Sequence, residues 1–133
     1  MEIVLAFGLL AVAILALIAM FTSGVKLSAQ ARNITVATEL GKQVIERARA
    51  KVKLSGFSYL PAGTYTFDGR AGDPIAGTPV FPPAPYPSTL VEHQEYFVVV
   101  SGAEPSADQL KNLRVDVYWT DTSHISLETK FTP

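Results

Sequence analysis

The two histidines, His93 and His124, are the first place to look for chemistry, and neither has a second ligand at the i, i+4 spacing that lets two imidazoles on one helix face share a metal. Both read as ordinary polar residues. Ser101, Ser123 and Ser126 lack the glycine-flanked strand-to-helix elbow that exposes a nucleophilic hydroxyl, and no glycine-rich loop lies between a strand and a helix to cradle a phosphate. Cysteine is absent, which removes thiolate nucleophiles, thiolate zinc sites and disulfides together. Asp68-Gly69-Arg70-Ala71-Gly72-Asp73 has carboxylates at both ends of a loop, as a calcium site would. Arg70 stands between them and no further acidic ligand follows, so a plain turn is expected. These residues predict no enzyme, no metal, no cofactor and no small-molecule substrate. One titratable group stands apart from the rest: Glu2, a carboxylate at the head of the most apolar stretch of the chain.

That stretch, residues 3–21, is nineteen residues without a polar side chain, and Ile3, Leu5, Phe7, Leu10, Ile14, Leu17 and Phe21 are spread along it. At helical rise it covers roughly the 30 Å of a bilayer's hydrocarbon core, so a membrane-spanning helix is expected, with lipid as its solvent. A secretory signal peptide would carry a basic n-region and an A-x-A-like cleavage site, and neither pattern flanks this run. A buried core helix of such purity would need far more protein around it than the remaining residues supply. A carboxylate at the start of a spanning helix is costly if it enters lipid, which points to a partner for Glu2, and it sits favourably at the positive end of the helix dipole.

Helical patterning continues past the apolar run. Ile34, Ala37, Leu40, Val44, Ala48 and Val52 recur at spacings of three or four and draw one stripe, while Lys26, Arg32, Lys42, Glu46, Arg47, Arg49, Lys51 and Lys53 occupy the other faces. No proline occurs before Pro61, so one helix of roughly 80 Å is expected, with Gly8, Gly24 and Gly41 each weakening it by about 1 kcal/mol. Three segments follow: a transmembrane half over 1–24, an amphipathic half over 25–54 that packs on its own head, and a head over 55–133.

Composition changes at Ser55-Gly56, and seven of the nine prolines fall between there and Val91. Residues 63–67 alternate enough for a short strand, with turns at Asp68-Gly69 and Gly72-Asp73-Pro74. Residues 79–87 favour an extended polyproline-like path, and a PxxP-type ligand is the functional alternative to a loop stiffened by proline. Residues 95–101, 113–120 and 125–131 read as strands, with a hairpin across Thr120-Asp121-Thr122-Ser123-His124 and a longer connection over 102–112 with room for a helical turn. Val115, Val117 and Trp119 alternate with Asp116, Tyr118 and Thr120, so one sheet face is dry and offers the helix stripe a partner. The expected fold class is α+β, a long N-terminal helix packed on a small antiparallel sheet.

Charge divides along the chain: residues 1–54 carry seven Lys/Arg and three Asp/Glu (+4), residues 55–133 four and nine (−5), for a total of −1. That total gives no reason to expect nucleic acid as a partner. A basic stalk and an acidic head suggest instead that heads of one copy meet stalks of the next, through Arg47, Arg49 and Lys51.

Met1-Glu2-Ile3-Val4-Leu5-Ala6 resembles the segment just after the cleavage site of type IV prepilins, where an aromatic residue, Thr and Leu precede an apolar residue and a glutamate. Residues 37–47 look like the distal first helix of minor pilins and pseudopilins. Residues 113–119 and 125–129 look like the final hairpin of the minor-pilin V and type II secretion pseudopilin I type. The resemblance implies a pilin-like fold and a non-enzymatic role. The subunit would be held in the bacterial inner membrane by a single pass, head in the periplasm, then moved into a surface filament alongside other pilin-like subunits by inner-membrane assembly machinery. Glu2 corresponds to the glutamate that meets a neighbour's N-terminal amine and sets subunit register. Against the family pattern the chain begins three residues into the mature region: with a short basic leader and three residues upstream, the resemblance implies prepilin-type cleavage and methylation of the new terminus, and with Met1 as the start neither occurs. Lys26 and Arg32 alone would place the head in the cytoplasm by the positive-inside rule; the resemblance reverses that. The membrane half has no proline and the head no disulfide, features of many major pilins, which favours a minor subunit. The reading from a different class is a solitary single-pass anchor carrying a binding or scaffold domain.

Overall fold

The computed structural model describes residues 2–104 and 110–132. The chain divides into two compact units, Met1–Asn33 and Ile34–Pro133. A single helix, α1, covers Glu2–Ser55, with Glu2 in its first turn and Lys53 in its last, each the sign that the helix dipole favours at that end. It ends where Gly56 adopts φ 73°, ψ −171°, a region closed to residues with a Cβ. The Gly56 N–H still closes the last turn on the Val52 carbonyl at 2.8 Å.

In the second unit a 3₁₀ turn, Phe57–Tyr59, leads into five antiparallel strands: β1 (Tyr65–Asp68), β2 (Ser88–Val91), β3 (Gln94–Ala103), β4 (Lys111–Tyr118) and β5 (His124–Phe131). Their order is β1-β3-β4-β5, with β2 also on β3. β1 pairs with the end of β3 (Asp68 opposite Val99) and β2 with its start (Ser88 opposite Phe97), so the two short strands lie end to end along one edge. The gap between them is closed on one residue, for Gly69 donates to the Val98 carbonyl and the Val98 N–H donates to the Pro87 carbonyl. A Cβ on Gly69 would collide with both of those carbonyl oxygens. Glycine is there because two backbones close on a third.

The predicted strands at 95–101, 113–120 and 125–131 match β3, β4 and β5 within a few residues. β4 stops at Tyr118, and Trp119 lies in the five-residue hairpin loop, its N–H donating to Ser123. The helical turn suggested within 102–112 would fall largely on 105–109, outside the described residues. β2 was not expected. It is four residues long and follows a proline, which an edge strand tolerates. It joins β3 through Glu92 (φ 48°) and His93 (φ 71°), the left-handed pair of a tight hairpin, in place of the usual Asn-Gly.

Residues 79–87 correct an expectation, because they fold inward instead of running as an extended polyproline path. Ala76 and Phe81 exchange both backbone hydrogen bonds, at 2.7 and 3.1 Å, and Phe81, Pro82, Pro83 and Tyr86 are buried. Phe81 meets the rings of Tyr59, Tyr65 and Phe67 edge-on, with centroids 5.5, 5.5 and 5.7 Å away. Prolines have no N–H to satisfy, so they enter the core at little polar cost once the aromatic residues between them bury. A PxxP ligand there would have to leave the core.

The remaining core comes from the inner sheet face, with Tyr96, Val98, Val100, Leu113, Val115, Val117 and Phe131 against Ala37, Leu40, Val44 and Ala48 of α1. Gly41 is buried too, and a Cβ there would press on the mobile tip of Leu127. The two glycines therefore differ. Gly69→Ala meets rigid backbone and should cost the second unit about 2–4 kcal/mol. Gly41→Ala displaces only a side-chain end and gains about 1 kcal/mol of helix propensity, leaving it near neutral. Urea unfolding of the full chain in detergent, followed by Trp119 fluorescence, measures both, and equal costs would contradict the edge geometry.

Candidate functional site

In the first unit the helix holds its apolar side chains outward. Ile3, Leu5, Phe7, Leu10, Leu17 and Phe21 are each more than half exposed, and Ile14 is 47% exposed. The helix is long and apolar enough to cross a membrane. Apolar surface on this scale is not left in water by a soluble protein; it is a surface for lipid or for other helices. The two hydroxyls that follow do not break it. Thr22 and Ser23 donate to the carbonyls of Ile18 and Ala19 one turn back, at 2.8 and 2.9 Å, so their polarity is satisfied within the helix. Glu2 begins the same surface.

Among the residues expected to join helix to head, Leu40, Val44, Ala48, Val115 and Val117 are buried, Val52 and Trp119 pack half-buried against the core, and Ile34 is 40% exposed. Two polar anchors flank that contact: Arg47 donates to the Ala84 carbonyl and Arg49 to the Thr129 hydroxyl, at 3.1 and 3.2 Å. Both partners are neutral, so the arginines keep their charge for other contacts. A third anchor, Lys111, had no signal in the sequence. Its ammonium donates to the carbonyls of Phe57 and Leu60 and to Glu104, at 3.4, 3.1 and 2.7 Å, pinning the 3₁₀ turn to β4. Only the register of β4 brings it there.

The outer sheet face is polar. Asp116 is 7% exposed, yet both its oxygens accept from Arg114 Nε at 3.1 Å and the Ser126 hydroxyl donates to it. Tyr118 stacks on His124, and Arg70 lies over the Tyr118 ring at 3.9 Å. A shallow groove of about 420 Å³ crosses β1, β3, β4 and β5, lined in part by Thr66, Ser101, Arg114 and Glu128. On the inner face, where the Tyr65 ring meets Phe81, the Tyr65 hydroxyl is buried without a hydrogen-bond partner among the described residues. Burial, aided by the Glu104 carboxylate, pushes its pKa up to about 12. The Asp68–Asp73 loop is a turn: Arg70 bonds the Asp68 carboxylate through its N–H, Nε and Nη2, and the Asp73 carboxylate accepts the Asp68 N–H. The Arg70 hydrogen bonds hold the Asp68 carboxyl below its ordinary range.

His93 sits in the β2–β3 turn and His124 in the stack on Tyr118; among the described residues no three His, Cys, Asp or Glu side chains converge to hold a metal.

Two outcomes test these contacts. A carboxyl with a depressed folded pKa stabilises above its unfolded pKa, near 3.9, and that contribution disappears as pH falls through the lower folded value. Asp68→Asn should therefore lower the melting temperature by a few degrees at pH 7 and by less at pH 3, the pair being partly exposed. Tyr65→Phe, which removes an unpaired buried hydroxyl, should be neutral or stabilise by up to about 1 kcal/mol in the same urea titration. Comparison with protein-family models, with curated proteins and with solved structures gives no match.

Proposed function

We propose that this chain is a minor-pilin-like or pseudopilin-like structural subunit that inserts its apolar N-terminal helix into a type IV pilus or type II secretion filament. The observation that carries the reading is the outward-facing apolar surface from Ile3 to Phe21, headed by a single carboxylate at Glu2. A helix of this kind is solvated equally well by lipid tails and by the apolar helices of a filament core, so transfer between them needs little driving force. Glu2 is what such a transfer can use for register, because a carboxylate in an apolar bundle is stable only beside a cation, and a neighbour's N-terminal amine is one. The role is structural and not enzymatic, with the head on the extracytoplasmic side of the inner membrane. Acidic heads and the basic stretch at Arg47, Arg49 and Lys51 then meet across subunits, an attraction that salt screens.

The groove of about 420 Å³ on the outer sheet face favours a second reading, a solitary single-pass anchor carrying a binding head. Shearing cells separates the two. A filament subunit appears in the sheared fraction with other pilin-like proteins, and Glu2→Ala leaves its membrane level intact while reducing the sheared amount by about tenfold or more, the loss expected for an uncompensated charge contact. A chain that stays wholly in the membrane fraction, alone and indifferent to Glu2→Ala, is the solitary anchor.

A further inference from the structure

We propose that the open edge of β5 receives an extended segment of another protein as a further antiparallel strand, one with acidic side chains on the face turned toward α1. The two edges of the sheet are unequal. On one side β1 and β2 are four residues each, they abut at Gly69 and Pro87, and the coil between them is rich in proline. That edge is interrupted and guarded. On the other side β5 pairs with β4 over eight consecutive residues without a bulge, contains no proline or glycine, and among the described residues has β4 as its one strand partner.

Hydrogen-bond phase fixes what this edge offers. Val98 turns both of its backbone groups toward Gly69 and Pro87, so Val117, opposite it on β4, turns its own toward β5, where Ile125 lies opposite. The Trp119 N–H, donating to Ser123, keeps the same phase into the hairpin. Ile125, Leu127, Thr129 and Phe131 therefore bond β4, while His124, Ser126, Glu128 and Lys130 hold their N–H and C=O groups outward. An extended segment spanning His124 to Lys130 satisfies all of them.

Side chains then select the occupant. A strand added here sets every second side chain on the inner side, beyond the half-buried Ile125, Leu127 and Thr129 and beside one flank of α1. Arg49 marks that flank, because its guanidinium donates to the Thr129 hydroxyl, a neutral partner that leaves the positive charge in place. Lys42, two helical turns before Arg49, and Lys53, one turn after it, share the flank and are exposed. Glu46 stands among them, so three cations accompany one carboxylate. Such a flank repels a basic strand and desolvates without return against an apolar one, whereas acidic side chains pair with it. The outer face adds no preference of sign, since Glu128 and Lys130 are opposite charges. All of these residues belong to the second unit, and the pairing holds whether or not α1 enters a filament.

The probe is a labelled peptide, Thr-Glu-Thr-Val-Thr-Glu-Thr, titrated to about 1 mM against the full chain in non-ionic detergent micelles and followed by fluorescence anisotropy. Binding is expected, and the same peptide with Lys in place of both Glu should bind about fivefold or more weakly. Lys42→Glu combined with Lys53→Glu should reverse that order of preference; should the double variant disturb the fold, the two peptides on the wild-type chain still read the charge selection. N-methylation of the third and fifth peptide residues, whose N–H groups point at β5, should abolish binding, and N-methylation of the central Val, whose N–H points away, should spare it. Amide hydrogen exchange reads the same edge from the chain's side. The N–H groups of Ser126 and Glu128 should exchange fast in the free chain and slow about tenfold or more with peptide, while those of Leu127 and Thr129 stay protected throughout. No binding, equal binding of the acidic and basic peptides, or indifference to which residues are N-methylated overturns the proposal. Protection of Ser126 and Glu128 before peptide is added also overturns it, since a second copy then covers the edge.

Discussion

A sheet with one apolar face is stable in water only when something covers that face, and here the cover is the buried stripe of α1. Ala37, Leu40, Gly41, Val44 and Ala48 are its buried residues, and three of the five are alanine or glycine. Small side chains on the helix contribute little volume, so the bulk of the core comes from the strands and from Tyr59, Leu60, Phe81 and Tyr86. The polar anchors follow from that seat. Arg47, Arg49 and Lys111 reach neutral oxygens or Glu104 only because the helix and the turn after it are already held against β4 and β5.

Closure of the second unit depends on a different device. The sheet edge opposite β5 is assembled from two fragments and a coil, and Gly69 and Val98 hold the fragments together where no continuous strand exists. The proline-rich segment is part of the same solution. It lays Phe81 and Tyr86 into the core, where Phe81 joins three other rings.

The first unit obeys another solvent altogether. From Ile3 to Phe21 its side chains face outward and apolar, and the polar groups that follow, Thr22 and Ser23, are turned back onto the helix. A segment of this kind has no fold to complete by itself, since its backbone bonds are internal and its side chains need only an apolar surrounding. What surrounds it, lipid or neighbouring helices, is what distinguishes an anchor from a subunit.

Much of the architecture was legible in the residues because it rests on local periodicity. The apolar run, the three-and-four stripe and the alternation of Val115 and Val117 each encode one face of one element, and a helix on an antiparallel sheet follows from matching those faces. Glu2 and the outward apolar residues could be named on composition alone. Tertiary structure decided the rest, for reasons that do not repeat along a sequence. The buried role of residues 79–87 comes from rings meeting partners far away in the chain, and β2 forms because β3 offers it an edge, its Glu92-His93 turn carrying no propensity signal. Gly69 and Lys111 acquire their roles from strand register. Register is a relation between segments, and it exists only once the segments have met.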